Sequence, residues 1–138
     1  MSHCRIPVVA LAVVFVSGCA ASSSTGPSAL FVDLRVEFRA DGGSDPQIAT
    51  LQCGPDASST GFLAGRANAV CESVASHKTL LTEPPDPARP CTQIYGGPEV
   101  ARVTGAVDSQ RVDRGFTRAD GCGIADWDKV KMLIDPRS

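Results

Sequence analysis

Six cysteines in 138 residues, at positions 4, 19, 53, 71, 91 and 122, constrain this chain more than any other feature. That is too many for an ordinary small cytosolic domain, and it points either to an oxidising compartment or to a metal. The metal reading fits poorly. No C-x-x-C occurs, and the gaps between the last four cysteines are 18, 20 and 31 residues, whereas a zinc site draws on closely paired ligands. Two histidines, His3 and His77, leave little for a His-rich metal site or for His-based catalysis.

The N-terminus decides in favour of export. Arg5 is the one cationic side chain before residues 6–18, an uncharged run of 13 apolar and small residues. Such a run is too short to span a bilayer and reads as a secretory signal. It ends Val16-Ser17-Gly18-Cys19, which resembles the bacterial lipobox. That resemblance implies cleavage before Cys19 and a diacylglycerol on its sulfur, and ordinary cleavage after Ala21 is the alternative. Two acyl chains on one cysteine anchor stably where a single chain binds marginally. The following AASSSTGPS, residues 20–28, is too polar and small to fold, and as a flexible coil it reaches roughly 15–18 Å. The expected organisation is a signal over residues 1–18, a tether over 19–28 and a folded domain over 29–138. The protein is expected at the outer face of the cell membrane through lipid on Cys19, or else secreted. Cys4 leaves with the signal. Cys53, Cys71, Cys91 and Cys122 remain, an even number that reads as two disulfides with three pairings open.

Within the domain, residues 30–39 alternate apolar and charged side chains, from Leu30 and Val32 to Phe38 and Arg39, as a half-buried strand does. The run DGGSDP, residues 41–46, is a turn, and residues 48–53 form a second strand. From Leu63 the period becomes helical through Ala67, Val70, Cys71 and Val74. Residues 100–107 and 111–117 read as a second hairpin around Asp108, Ser109 and Gln110. Gly121-Cys122-Gly123 reads as a tight turn. Asp126 is placed to cap a final helix carrying Trp127, Val130 and Leu133 or Ile134, although the same stretch can be drawn as a strand through Val130, Met132 and Ile134. The order β-β-α-β-β-α predicts a two-layer α+β domain with an antiparallel sheet covered by helix on one face.

Composition narrows the function classes. A formal charge of −2 argues against nucleic acid as a partner. No phosphate-cradling glycine motif occurs. His77 follows the predicted first helix, where a cation complements the helix dipole. Asp126 and Asp128 sit near a predicted helix start, where acids are expected anyway, and Arg102, Arg111, Arg114 and Arg118 read as solvated strand residues. An enzyme is not expected, nor is a cofactor or metal. The unusual element surrounds Cys91. Four of the ten prolines fall in residues 83–90, EPPDPARP, a stiff approach poor in hydrogen-bond donors. Cys91, Thr92, Gln93, Ile94 and Tyr95 follow, and Gly96-Gly97-Pro98 leads out. Either Ile94 and Tyr95 turn into the core as a plain connection, or the loop is presented for binding, with rigidity lowering the ordering cost.

These features together resemble the subtilisin-inhibitor-like family of Gram-positive bacteria. The resemblance rests on Leu51-Gln52-Cys53-Gly54-Pro55, Ala69-Val70-Cys71, Cys91 followed by Tyr95 and Pro98, and residues 112–116 leading to Cys122. It implies the pairings Cys53–Cys71 and Cys91–Cys122, a sheet of about five antiparallel strands and two helices. It further implies a reactive loop of Thr92, Gln93, Ile94 and Tyr95, with Gln93–Ile94 as the bond offered to an extracellular subtilisin-like serine protease and Gln93 filling its primary pocket. A non-inhibitory surface lipoprotein that uses the scaffold as a binding module is the second reading, and a homodimer is left open. The chain departs from the family pattern at Thr92, where family members often carry Pro, and at Gln93, where they often carry Met or a basic residue. The Gly96-Gly97 exit is one residue longer than usual.

Overall fold

The structure, a computed structural model, describes residues 30–138. The signal segment, Cys4, Cys19 and the tether lie outside the described residues. The alternation at the start of the domain becomes β1 (Val32–Arg39), with Val32, Leu34, Val36 and Phe38 buried. After the turn comes β2 (Gln47–Cys53), antiparallel to β1 with Val32 opposite Cys53. A two-residue edge strand, β3 (Ser58–Ser59), pairs with Leu51 and Gln52. The second hairpin is β4 (Gly97–Val107) and β5 (Gln110–Arg118). The sheet order is β3-β2-β1-β4-β5, with every neighbouring pair antiparallel. The fold is therefore the expected two-layer α+β arrangement with five strands. The fifth strand comes from the short serine pair after β2, which has too little apolar pattern to read in advance.

The helices sit on the face that carries Leu34, Val36 and Val103. Helix α1 (Ala67–Ser76) buries Val70 and Val74. It starts later than the apolar period predicts. Leu63 belongs to a separate 3₁₀ turn (Gly61–Leu63), and Gly65, at φ +80°, breaks the chain before the helix begins. His77 ends α1, donating its N–H to Ser73 and Val74 carbonyls, and a short α2 (Lys78–Thr82) follows at once and buries Leu81. The C-terminal ambiguity resolves as α3 (Gly121–Ile134), with Trp127, Val130, Leu133 and Ile134 buried. Trp127 meets Phe38 edge to face at 6.3 Å, a favourable geometry for aromatic rings.

Two expectations about α3 are corrected. Its cap is Asp120, whose carboxylate accepts the Gly123 N–H at 2.8 Å. Gly121-Cys122-Gly123 is thus the first turn of the helix and not a tight turn, and Asp126 lies buried one turn further on. The β4–β5 connection is a two-residue turn with both Asp108 and Ser109 at positive φ. Asp108 is held there by bonds to another strand's start. Its N–H donates to the Phe31 carbonyl at 2.7 Å, and its carboxylate accepts the Phe31 N–H at 2.9 Å and the Lys78 ammonium at 2.8 Å. Those two donors, Lys78 first, hold the Asp108 carboxyl below its ordinary range.

Both disulfides are the pairs implied by the resemblance, Cys53–Cys71 and Cys91–Cys122. The first ties the end of β2 to α1. The second ties the approach of the 92–95 loop to the first turn of α3.

Candidate functional site

The proline approach to Cys91 has few N–H groups to donate, so side chains fix it instead. Asp86 forms a local turn, its carboxylate accepting the Ala88 N–H at 2.8 Å and its carbonyl the Arg89 N–H at 3.2 Å. Arg89 then reaches α3. Its two terminal nitrogens donate to the two carboxylate oxygens of Asp126, each at 3.1 Å. This parallel fork is a strong and directional form of ion pair, and Asp126 raises the pKa of Arg89 through it. Asp126 is nearly buried, at 7% exposure, so it is neither the helix cap nor a surface acid. It holds the segment that delivers Cys91.

The loop is pinned on both sides of its tip. On the near side, the Cys91–Cys122 bond fixes the chain to α3, and one residue later the Thr92 carbonyl accepts the Gly121 N–H at 2.9 Å. On the far side, the Gly96 N–H donates to the Arg118 carbonyl at 2.8 Å. Both anchors belong to the stretch that joins β5 to α3. Between them, the backbones of Gln93, Ile94 and Tyr95 make no hydrogen bond among the described residues. Ile94 is 55% exposed and Tyr95 70%. The plain-connection reading, with these side chains turned into the core, is thereby set aside.

The glycines of this region are packed rather than loose. A Cβ on Gly121 would run into the Thr92 hydroxyl, and one on Gly96 would lie 2.7 Å from Cγ1 of Ile124. Gly97 sits at φ +147°, and a Cβ there would collide with the Glu99 carboxylate. The longer Gly96-Gly97 exit is a close-packed seam between the loop, α3 and the start of β4. A shift of register between Gly97 and Val100 forms a bulge in β4. A bulge re-aims a side chain, and here Glu99 is buried.

Glu99 receives the Arg118 Nη1 at 3.3 Å and the Arg137 Nη1 at 2.9 Å. Arg137 also donates to the two oxygens of Asp135, through Nε and Nη2, each at 2.9 Å. Its own pKa is raised, first by Asp135 and then by Glu99. Arg118 is therefore not a solvated strand residue, and neither is Arg114, whose Nε donates to the Leu80 carbonyl at 3.0 Å. Of the side chains that hold the loop, Arg89, Glu99, Arg118 and Asp126 carry no local sequence signal for the role. Each depends on a partner 19 to 38 residues away.

Cys91, Asp120 and Cys122 bring potential metal donors together. Both sulfurs are consumed by the disulfide and Asp120 caps α3, so the cluster offers no free thiolate. The cleft beside the loop holds about 230 Å³, below the ~300–1,000 Å³ usual for small-molecule sites. What the region presents is a convex, exposed tip on a fixed base. That tip lies at the end of the sheet where Arg39 pairs with Val100, whereas the chain enters β1 at the opposite end, where Val32 pairs with Cys53 and Val107. The eight residues of β1 separate the two ends by roughly 25 Å.

No protein-family model matches the chain, and no curated protein matches it. Among solved structures it is similar to a chain in the crystal structure of Streptomyces caespitosus sermetstatin in complex with Bacillus licheniformis subtilisin. The identity is 19%, the match covers 71% of this chain and 94% of that one, and the TM-score is 0.43, too low for the likeness to carry a conclusion about this chain.

Proposed function

We propose that the protein is a surface lipoprotein that inhibits extracellular, subtilisin-like serine proteases in the manner of a bound substrate. The observation that carries this reading is the tip of Gln93, Ile94 and Tyr95, exposed and free of internal backbone bonds, held on both flanks by one rigid junction. Free backbone groups in a fixed loop are available to pair with a protease's binding cleft. A loop already ordered avoids the entropy of ordering on binding. If the Gln93–Ile94 bond is cut, Cys91–Cys122 and the Thr92 carbonyl hold one new end, and the Gly96–Arg118 bond holds the other. Ends kept in contact rejoin with the advantage of a high effective concentration, so net hydrolysis is slow. A tether from Cys19 joins the domain at the start of β1, the end opposite the loop, which leaves the tip free to face away from the membrane.

The test is titration of the purified protein against a panel of serine proteases, with mass analysis of the complexes. Expected are stoichiometric complexes in which the Gln93–Ile94 bond is cut slowly. Absence of inhibition across the panel, or rapid loop cleavage followed by unfolding, would refute the reading. The glutamine at the tip favours the second reading, a non-inhibitory binding module, because its amide is costly to desolvate in a pocket without polar partners. Binding to a surface partner with no protease inhibited is the result that would select it.

A further inference from the structure

The distal anchor of the loop is a hydrogen bond to a backbone carbonyl, and that carbonyl belongs to Arg118. Gly96 also packs on the Arg118 side chain, since a Cβ on Gly96 would stand 3.3 Å from the Arg118 Cβ. The position of Arg118 is therefore the position of the loop's far side. Among the described residues the Arg118 guanidinium has Glu99 as its one acidic partner, and its Nε is buried without a bond. Glu99 is in turn shared with Arg137, which lies beyond α3 and is fixed by Asp135. A continuous path thus runs from Asp135 and Arg137 through Glu99 and Arg118 to the Gly96 N–H.

We propose that Glu99 is a positioning residue for the loop and that Arg137, through Glu99, sets how firmly the far side of the tip is held. Without the Glu99 carboxylate, Arg118 keeps a half-buried charge with no counter-ion and its guanidinium turns toward solvent, while Gly97 loses the carboxylate packed against it, so the seam that carries the Gly96 N–H to the Arg118 carbonyl slackens. Without the Arg137 guanidinium, Glu99 loses its shorter ion pair and the bulge at Pro98 and Glu99 loosens. Both changes leave the disulfide and the near-side anchor in place, so they act on one flank of the loop alone. The effect on protease cleavage rests on the inhibitor reading, but the effect on the loop does not.

The experiment uses the full chain purified in detergent and compares the native sequence with E99Q, R137Q and R102Q. Arg102 pairs with Asp113 on the open face of the sheet and is 61% exposed, which makes it a control for general loss of charge. Amide hydrogen exchange is read at Gly96 and, as a reference for global opening, at Val103 in the middle of β4. Expected is exchange at Gly96 about tenfold faster in E99Q and R137Q over and above any change at Val103, which reports the global stability lost with the ion pair, and no change at either site in R102Q. In complexes with an inhibited protease, cleavage at Gln93–Ile94 is expected to quicken by about the same factor while the association rate holds, as for an interaction lost after docking. Arg137 is 58% exposed, so R137Q reports even if E99Q does not fold. Unchanged Gly96 exchange in the folded variants, or equal acceleration at Gly96 and Val103, overturns the proposal. Faster Gly96 exchange in a protein that inhibits no protease upholds the positioning role and sinks the inhibitor reading instead.

Discussion

Removing the two disulfides one at a time separates a brace from a staple. Cys53–Cys71 closes 18 residues and Cys91–Cys122 closes 31. In the chain-entropy treatment these contribute about 3 and 3.7 kcal/mol by restricting the unfolded chain. Cys53 is also buried, and trimming it to alanine leaves a small void costing up to about 1 kcal/mol. The double variants C53A/C71A and C91A/C122A should therefore lose similar stability, within about 1 kcal/mol of each other. Their effects on the loop should differ sharply. Residues 92–96 are ordered by the disulfide and two backbone bonds. Ordering costs about 1–2 kcal/mol per residue, so if about half of that order is lost without the disulfide, roughly 3 kcal/mol falls on the binding step. That corresponds to roughly a 100-fold weaker complex. Urea unfolding gives the stabilities, and inhibition constants with mass analysis of the loop give the second quantity. C53A/C71A should inhibit nearly as the native chain does, while C91A/C122A should be weak and rapidly cut. Equal losses of inhibition in the two variants, at equal stability, would refute the reasoning that the second disulfide acts on the loop.

Three further outcomes are expected. Gly97→Ala should destabilise the fold by about 1–3 kcal/mol, because φ there is +147° and the new methyl would meet the Glu99 carboxylate; thermal melting measures it. Acid should weaken the fold through Glu99 and Asp135, which face Arg118 from β5 and Arg137 from beyond α3. Glu99 is held below its ordinary pKa first by its own backbone amide and next by Arg137, against burial, and Asp135 first by Arg137. Such carboxylates contribute their stability above an unfolded pKa of about 4 and lose it as pH falls through the lower folded value. Urea midpoints should hold from neutral pH to about 5 and then fall, less steeply in E99Q and D135N. Finally, Cys19→Ser should move the protein from the membrane fraction to the soluble exported fraction, with the loss of the lipid visible by mass spectrometry.

What depends on local pattern was legible in the chain before folding. Period-two alternation gave β1 to within two residues, and it placed both hairpins, because a strand half-buried on one face must alternate. The cysteine count restricted the domain to two disulfides, and the proline run marked a stiff approach to Cys91 and the residues after it. Glycine was the chief source of error. Gly121 and Gly123 read as a turn, because glycine has poor helix propensity, yet here the missing side chains let α3 begin against Thr92 and the Thr117 carbonyl. Gly96 and Gly97 read only as a longer exit from the loop and prove to be a packed seam. That Ile94 and Tyr95 face outward came from the folded arrangement alone, since their types fit a core equally well. Only it could join Arg89 to Asp126 and Glu99 to Arg137, because a side chain's charge is written in the sequence but its partner is set by which distant elements the fold brings together.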